Sequence, residues 1–217
     1  MKRCLTGVFV FLFVVVFGSE CQTFAHQAVN FHGTIRISGL HEEIVEPVKG
    51  VADIVRWGHE ETNGNFDEAI LNFELVSEES ECGVLLEAGT ATVSSYRENK
   101  YSVTSKKFPL DLCEDGMADV IERILNKYGK TVQDALGLEE CFSIANGSGI
   151  TESGKTLRFA NAYISKGKAV ITRSSVKISF KISPALITYD VGNLNRKEYP
   201  LKIAGEVNIQ REGAHQN

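Results

Sequence analysis

The chain lacks any excess of basic charge. Its 217 residues include 23 lysines and arginines against 28 aspartates and glutamates, which gives a formal net charge of −5 at pH 7. Proteins that bind nucleic acids or anionic membrane surfaces usually carry a basic excess. The composition therefore argues against both as partners.

The chain also lacks an apolar run long enough to cross a bilayer, which takes about 20 residues. Its longest run covers residues 7–18, follows Lys2 and Arg3, and is succeeded by small and polar residues. That pattern is typical of a secretory signal peptide. We predict a signal peptide over residues 1–21, secretion to the extracellular space and no membrane span; cleavage after Ala25 is the alternative.

Internal repeats and low-complexity tracts are missing as well. The composition, 43% hydrophobic and 24% charged, is that of an ordinary globular protein. Residues 22–217 are enough for one well-cored domain, and β-sandwiches commonly reach that size. We predict a single mature β-rich domain with a frayed tail from about residue 211.

Motifs for catalysis and metal binding are scarce. No Gly-x-Ser-x-Gly elbow occurs, and the His-Glu-Glu triplets at residues 41–43 and 59–61 lack two histidines four positions apart. These triplets are interpreted as solvated charge. The sequence predicts no enzymatic activity, no cofactor and no metal.

One motif does match a nucleotide site. Residues 149–156, Gly-Ile-Thr-Glu-Ser-Gly-Lys-Thr, satisfy the phosphate-loop expression. Phosphate binding by this motif needs a buried strand before the loop and a helix after it. The preceding residues are polar and the following ones have strand character, so a hairpin loop is the favoured interpretation.

Alternating apolar and polar residues predict a largely β protein. The clearest strand covers residues 175–182, where Val176, Ile178, Phe180 and Ile182 alternate with polar residues. Residues 83–93 and 100–108 are predicted to form a hairpin, and residues 43–57 either a strand pair or a short helix. Further strands are predicted at residues 31–39, 69–76, 157–164, 168–172, 185–189 and 201–209.

A single amphipathic helix interrupts this pattern at about residues 116–128. Asp115 is its predicted N-cap and Gly129 its predicted stop, and a second short turn follows at residues 132–136. Six residues share its apolar face: Met117, Val120, Ile121, Ile124, Leu125 and Tyr128. The predicted fold is an antiparallel β-sandwich or closed sheet with one helix between Cys113 and Cys141.

Three cysteines remain after signal cleavage, namely Cys82, Cys113 and Cys141. Thiols tend to pair in an oxidising compartment. We predict a Cys113–Cys141 disulfide, with a bridge from Cys82 to either of the others as the main alternative, because sequence alone does not determine connectivity. Residues 146–148, Asn-Gly-Ser, predict N-glycosylation of Asn146 in an exposed loop.

Residues 108–113 (Phe-Pro-Leu-Asp-Leu-Cys), the helix ending in Lys-Tyr-Gly at 127–129, and Glu-Glu-Cys at 139–141 resemble secreted lipid-recognition proteins of the ML type. The likeness covers about residues 85–182 and is closest to arthropod and ganglioside-activator-like members. It implies an antiparallel β-fold around an apolar cavity for one lipid. The residues predicted to line that cavity are Val176, Ile178, Phe180 and Ile182.

Two functions are compatible with these features. The first is a secreted, non-enzymatic binder or carrier of a lipid or other small hydrophobic ligand. The alternative is a secreted interaction protein with a solid core, such as an effector, an inhibitor or a venom-type component, whose surface contacts a secreted or cell-surface protein. The alternating strands build a hollow core and a filled core equally well.

Overall fold

The computed structural model describes residues 26–55, 68–75, 81–83, 89–96, 106–108, 116–146, 148–151, 153–160, 164–171, 175–189 and 196–210. The predicted signal peptide and the tail lie outside these ranges. The strands are β1 His26–Ser38, β2 Ile44–Val55, β3 Glu68–Leu75, β4 Gly89–Tyr96, β5 Lys106–Phe108, β6 Ile144–Ala145, β7 Ser148–Ile150, β8 Thr156–Ala160, β9 Ile164–Ile171, β10 Ser175–Ile182, β11 Ala185–Tyr189, β12 Arg196–Pro200 and β13 Lys202–Gln210. The helices are α1 Gly116–Lys127 and α2 Gly129–Leu136.

The strands form two antiparallel sheets, so the predicted mostly-β class with a sandwich-like arrangement is confirmed. The larger sheet has the order β4-β3-β2-β1-β13-β10-β9-β5, and the smaller has the order β12-β11-β8-β7-β6. On β1, β10 and β13 of the larger sheet, the described side chains alternate between a buried inner face and a polar outer face, as the period of two requires.

Three pairs of consecutive strands link one sheet to the other. The pairs β9/β8, β10/β11 and β13/β12 are consecutive along the chain and keep the same neighbour order in both sheets. The ladder of β10 has a register irregularity between Lys181 and Ile182, and the Leu201 N–H donates to the Pro184 carbonyl at 2.9 Å. Bends and bulges at such corners let strands switch sheets.

The larger sheet is strongly curled. Phe73 on β3 and Phe180 on β10 are separated by four strand positions, which is about 19 Å across a flat sheet at about 4.8 Å per strand. Their ring centroids nevertheless lie 6.5 Å apart, and Phe31 packs on Phe73 at 5.2 Å. The inner face therefore closes on itself around these three rings.

The predicted helix is confirmed as α1. Five residues of its apolar face, all except Tyr128, are at most 1% exposed, and the helix packs against β3, β4 and β6. Gly129, predicted to stop the helix, instead begins α2 after a turn at Tyr128. α2 ends at Gly137, whose φ of 65° places it in the left-handed region that glycine adopts easily.

Residues 44–55 form one strand, so neither predicted form of this segment, a strand pair or a short helix, is correct. Val48, Ala52 and Ile54 all lie on its buried face. Pro47 fits because β2 pairs with β1 there, whereas the ladder to β3 begins only at Lys49, so the missing proline N–H costs no bond to β3.

The predicted hairpin between residues 83–93 and 100–108 is also wrong. β4 pairs with β3 and β5 pairs with β9, which places them at opposite edges of the larger sheet. β4 and β5 are consecutive strands along the chain, but the whole width of the larger sheet separates them.

The predicted Cys113–Cys141 disulfide is wrong, because Cys141 is bonded to Cys82. The short segment at residues 81–83 lies across the junction of α1 and α2: the Glu81 N–H donates to the Lys127 carbonyl at 3.1 Å, and the Glu81 carboxylate accepts the Thr131 N–H at 2.9 Å. These contacts bring Cys82 to Cys141. Cys113 lies outside the described residues.

Candidate functional site

The residues predicted to line a cavity lie together on the inner face of β10. Val176, Ile178, Phe180 and Ile182 are at most 2% exposed. Phe180 packs flat on Gly205, its partner in the ladder to β13, and a methyl group on Gly205 would overlap the ring. At this level of the sheet the inner space is occupied by aromatic rings.

A carboxylate is buried between the sheet and α1. Glu46 is 2% exposed. Its carboxylate accepts hydrogen bonds from Lys127 Nζ at 3.2 Å and from the Tyr128 hydroxyl at 3.0 Å. Burial, together with the hydrogen bond to the Glu46 carboxylate, raises the pKa of Tyr128 above its usual value. Both carboxylate oxygens are engaged, so this cluster anchors the end of α1 to β2.

The phosphate-loop match is a hairpin connection, as predicted. β7 and β8 pair antiparallel across it, and a strand begins at Thr156 where a phosphate site needs a helix. The Ser153 N–H donates to Glu140 Oε2 at 2.7 Å, and the Ser153 hydroxyl donates to Oε1. The Ser153 hydroxyl bond is the main reason why the pKa of Glu140 lies below its usual value. The turn therefore binds the Glu140 carboxylate of the same chain.

Asn146 is exposed at the tip of the β6–β7 hairpin. Ala145 pairs with Ser148 across this hairpin, and Asn146 has a φ of 52°. Asn-Gly is the preferred pair for such tight turns because both positions need positive φ. The position offers the exposed loop that a glycan needs; glycosylation itself stays a prediction.

The outer face of the larger sheet carries a polar depression of about 150 Å³ that no sequence motif indicated. Its side chains come from three strands that are adjacent in the sheet but far apart in sequence. The lining residues are His32, Gly33 and Thr34 on β1, Lys177 on β10, and Glu206, Val207 and Asn208 on β13. Lys177 Nζ lies 3.0 Å from Glu206 Oε2, so the two charges of the depression form an ion pair.

The central strands of this outer face carry more basic than acidic side chains. The described outward side chains of β1, β13 and β10 include four lysines or arginines and one histidine against a single acid, Glu206. The basic residues are Arg36, Lys177, Lys181 and Lys202. Glu43 pairs with Arg36, and β2 and β3 add Asp53 and Glu74, so the basic excess is confined to β1, β13 and β10.

The residues that the structure describes contain no group of three or more histidine, cysteine, aspartate or glutamate side chains placed to hold a metal ion. His41, Glu42 and Glu43 are exposed, and Glu43 pairs with Arg36 at 3.5 Å. The second triplet lies outside the described residues. Within the described part of the chain, neither helix combines the length and apolarity that a membrane crossing requires.

Comparisons with protein-family models, with curated proteins and with solved structures find no match for this chain. The resemblance to ML-type proteins therefore stays a prediction.

Proposed function

We propose that the protein is a secreted, non-enzymatic interaction protein that works through its surface. The observation that carries this proposal is the contact of Phe31, Phe73 and Phe180 across the inner face of the larger sheet. Ligand pockets for small molecules are typically about 300–1,000 Å³. Phe73 contacts both other rings, so these three side chains fill the part of the described interior that lies between β1, β3 and β10.

The outer face of the same sheet supplies a surface suited to a partner. His32, Lys49 and Lys177 are exposed there, next to the depression on β1, β10 and β13. Charged and polar groups displayed in this way steer association and confer specificity.

Two features support secretion. The Cys82–Cys141 disulfide is the type of bond that oxidising compartments maintain. Asn146 lies at an exposed hairpin tip, as an N-glycan acceptor must. Expression of the full chain in eukaryotic cells should yield glycosylated protein in the medium, and Asn146→Gln should remove the mass of one glycan. Protein that stays in the cells with residues 1–21 attached would contradict secretion.

A glycan shield tests the surface directly. Lys177→Asn creates an Asn-Ile-Ser acceptor on the outer face, whereas Gly154→Asn creates an Asn-Lys-Thr acceptor on an exposed turn of the smaller sheet, where asparagine tolerates the positive φ. The protein is immobilised and exposed to extracellular fluid of its source. We expect the wild type and the Gly154 variant to retain a component of this fluid that the Lys177 variant does not retain. Retention of no component by any form would overturn the proposal.

A lipid carrier is the second candidate, and one observation favours it. α1 packs against β3 and β4, and the interior beside these strands would be uncovered if α1 moved. Native mass spectrometry of the secreted protein, before and after extraction with organic solvent, separates the two functions. Bound lipid at one molecule per chain would favour the carrier; a mass equal to polypeptide plus glycan supports the interaction protein.

A further inference from the structure

We infer that the outer face of β1, β13 and β10 binds a sulfated or carboxylated polysaccharide, with one sugar unit seated in the depression around Lys177 and Glu206. This inference names the partner class of the interaction proposed above and depends on that proposal.

The chemistry of the depression matches a sugar. Its side chains are an imidazole, a hydroxyl, an amide, an ammonium group and a carboxylate, from His32, Thr34, Asn208, Lys177 and Glu206. Together they offer several donors and several acceptors. Sugar hydroxyls donate and accept, so they can satisfy such a mixed set within one small site.

The surroundings of the depression match a polyanion. Lys49, His32, Asn208 and Lys177 are directly opposite one another on four adjacent strands, which forms a polar row of about 14 Å across the sheet. The next position of this row, on β3, is Glu74. The basic excess of β1, β13 and β10 attracts a chain of negative groups through its local field.

Other anionic partners fit less well. The described outward side chains of β1, β13 and β10 include no phenylalanine, tyrosine or tryptophan on which bases of a nucleic acid could stack. Membrane binding by a basic surface is usually reinforced by apolar side chains that enter the lipid. The same outward positions hold polar or small residues, and the exposed apolar side chains Val45 and Val51 lie on the neighbouring strand β2.

The ion pair between Lys177 and Glu206, at 3.0 Å, determines the direction of two substitutions. An anionic sugar must compete with Glu206 for the Lys177 ammonium group. Removing the charge of Lys177 therefore weakens binding, whereas removing the charge of Glu206 frees the lysine and strengthens binding. Opposite effects on binding of the substitutions at Lys177 and Glu206 would identify this depression as the binding site.

The experiment measures binding of a heparin oligosaccharide to the secreted, glycosylated protein by titration calorimetry at about 0.1 M salt. We expect Lys177→Gln to weaken binding about twofold to fivefold, the effect of one solvated ion pair, and Glu206→Gln to strengthen it by a similar factor. Lys197→Gln is the matched control: it removes the same charge from an exposed residue of β12 in the smaller sheet, and should leave binding unchanged.

Absence of heparin binding would overturn the inference, as would an equal loss for the Lys177 and Lys197 variants or tighter binding to phosphatidylserine vesicles than to heparin. The surface proposal survives if heparin fails but the glycan-shield experiment still retains a partner through the outer face. Failure of both experiments removes both proposals.

Discussion

The Tyr128 hydroxyl donates a 3.0 Å hydrogen bond to Glu46 Oε2, across 82 positions of sequence. Lys127 Nζ lies 3.2 Å from the other oxygen of the same carboxylate. Burial of a charge costs desolvation free energy, and this cost is offset only when all partners of the charge are in place. This contact therefore holds the α1–α2 junction against β2.

Glu46→Ala should lower the free energy of unfolding by about 3 kcal/mol, because it removes the buried carboxylate that Lys127 and Tyr128 share. Urea denaturation of the secreted protein measures this loss. Glu43→Ala, an exposed carboxylate near the start of the same strand, should change stability by less than about 0.5 kcal/mol. Equal losses for the two variants would contradict the structural role of Glu46.

Tyr128 should make the protein less stable in alkaline solution. Its pKa is raised by burial and by the Glu46 carboxylate, so above about pH 10 the unfolded chain loses a proton that the folded chain retains. The free energy of unfolding should therefore fall as pH rises from about 10 through the raised pKa. Tyr128→Phe should make this fall shallower, since all other tyrosines remain; an unchanged slope between about pH 8 and about pH 11 would show that Tyr128 does not contribute.

Gly205→Ala should destabilise the protein by about 1–3 kcal/mol, because its methyl group would overlap the Phe180 ring. In a Phe180→Leu background the same change should cost clearly less, since the ring is gone. Ala204→Val, one position along on the outer face, is the control and should be nearly neutral. A double-mutant cycle by chemical denaturation gives the coupling, and additive effects would contradict the ring contact.

Peptide mapping under non-reducing conditions should recover a Cys82–Cys141 peptide. Cys141→Ser should cost about 4 kcal/mol by the chain-entropy argument, because the bridge spans 59 positions. Cys113→Ser should leave the Cys82–Cys141 peptide intact. Recovery of a Cys113–Cys141 peptide from the wild type would disprove the pairing.

Glu140 should titrate below its usual value of 4.5, because the Ser153 hydroxyl and the Ser153 N–H stabilise its charged form. The contribution of this contact to stability is complete above pH 4.5 and is lost as pH falls through the lowered pKa. The NMR shift of the Ser153 N–H should follow this titration, and Glu140→Ala should abolish it. Glu139→Ala, which removes the neighbouring exposed carboxylate, should leave the titration in place.

Local periodicity accounts for what the sequence predicted correctly. Residues 175–182 and residues 116–128 became β10 and α1 because each has one unambiguous period, two for the strand and 3.6 for the helix. Residues 43–57 were ambiguous because apolar residues four positions apart, such as Ile44 and Val48, share a face in a helix and in a strand alike. Only pairing with β1 and β3 selected the strand.

The features that depend on distant contacts were beyond the reach of the sequence. Cys113 was the predicted partner of Cys141. In the structure, residues 81–83 lie across the helix junction, and this position makes Cys82 the partner instead. The depression joins His32 to Lys177 and Glu206, which belong to strands that meet only in the sheet. No local pattern encodes such proximity.

The β-rich class, the amphipathic helix and the hairpin at the phosphate-loop match can be predicted from the sequence, because they follow from side-chain period and turn chemistry over short stretches. The curl that brings Phe73 to Phe180, the disulfide and the basic excess on β1, β13 and β10 depend on contacts that form only in the folded chain. These arise when strands far apart in sequence pair, and the free energy of that pairing is shared by the whole sheet.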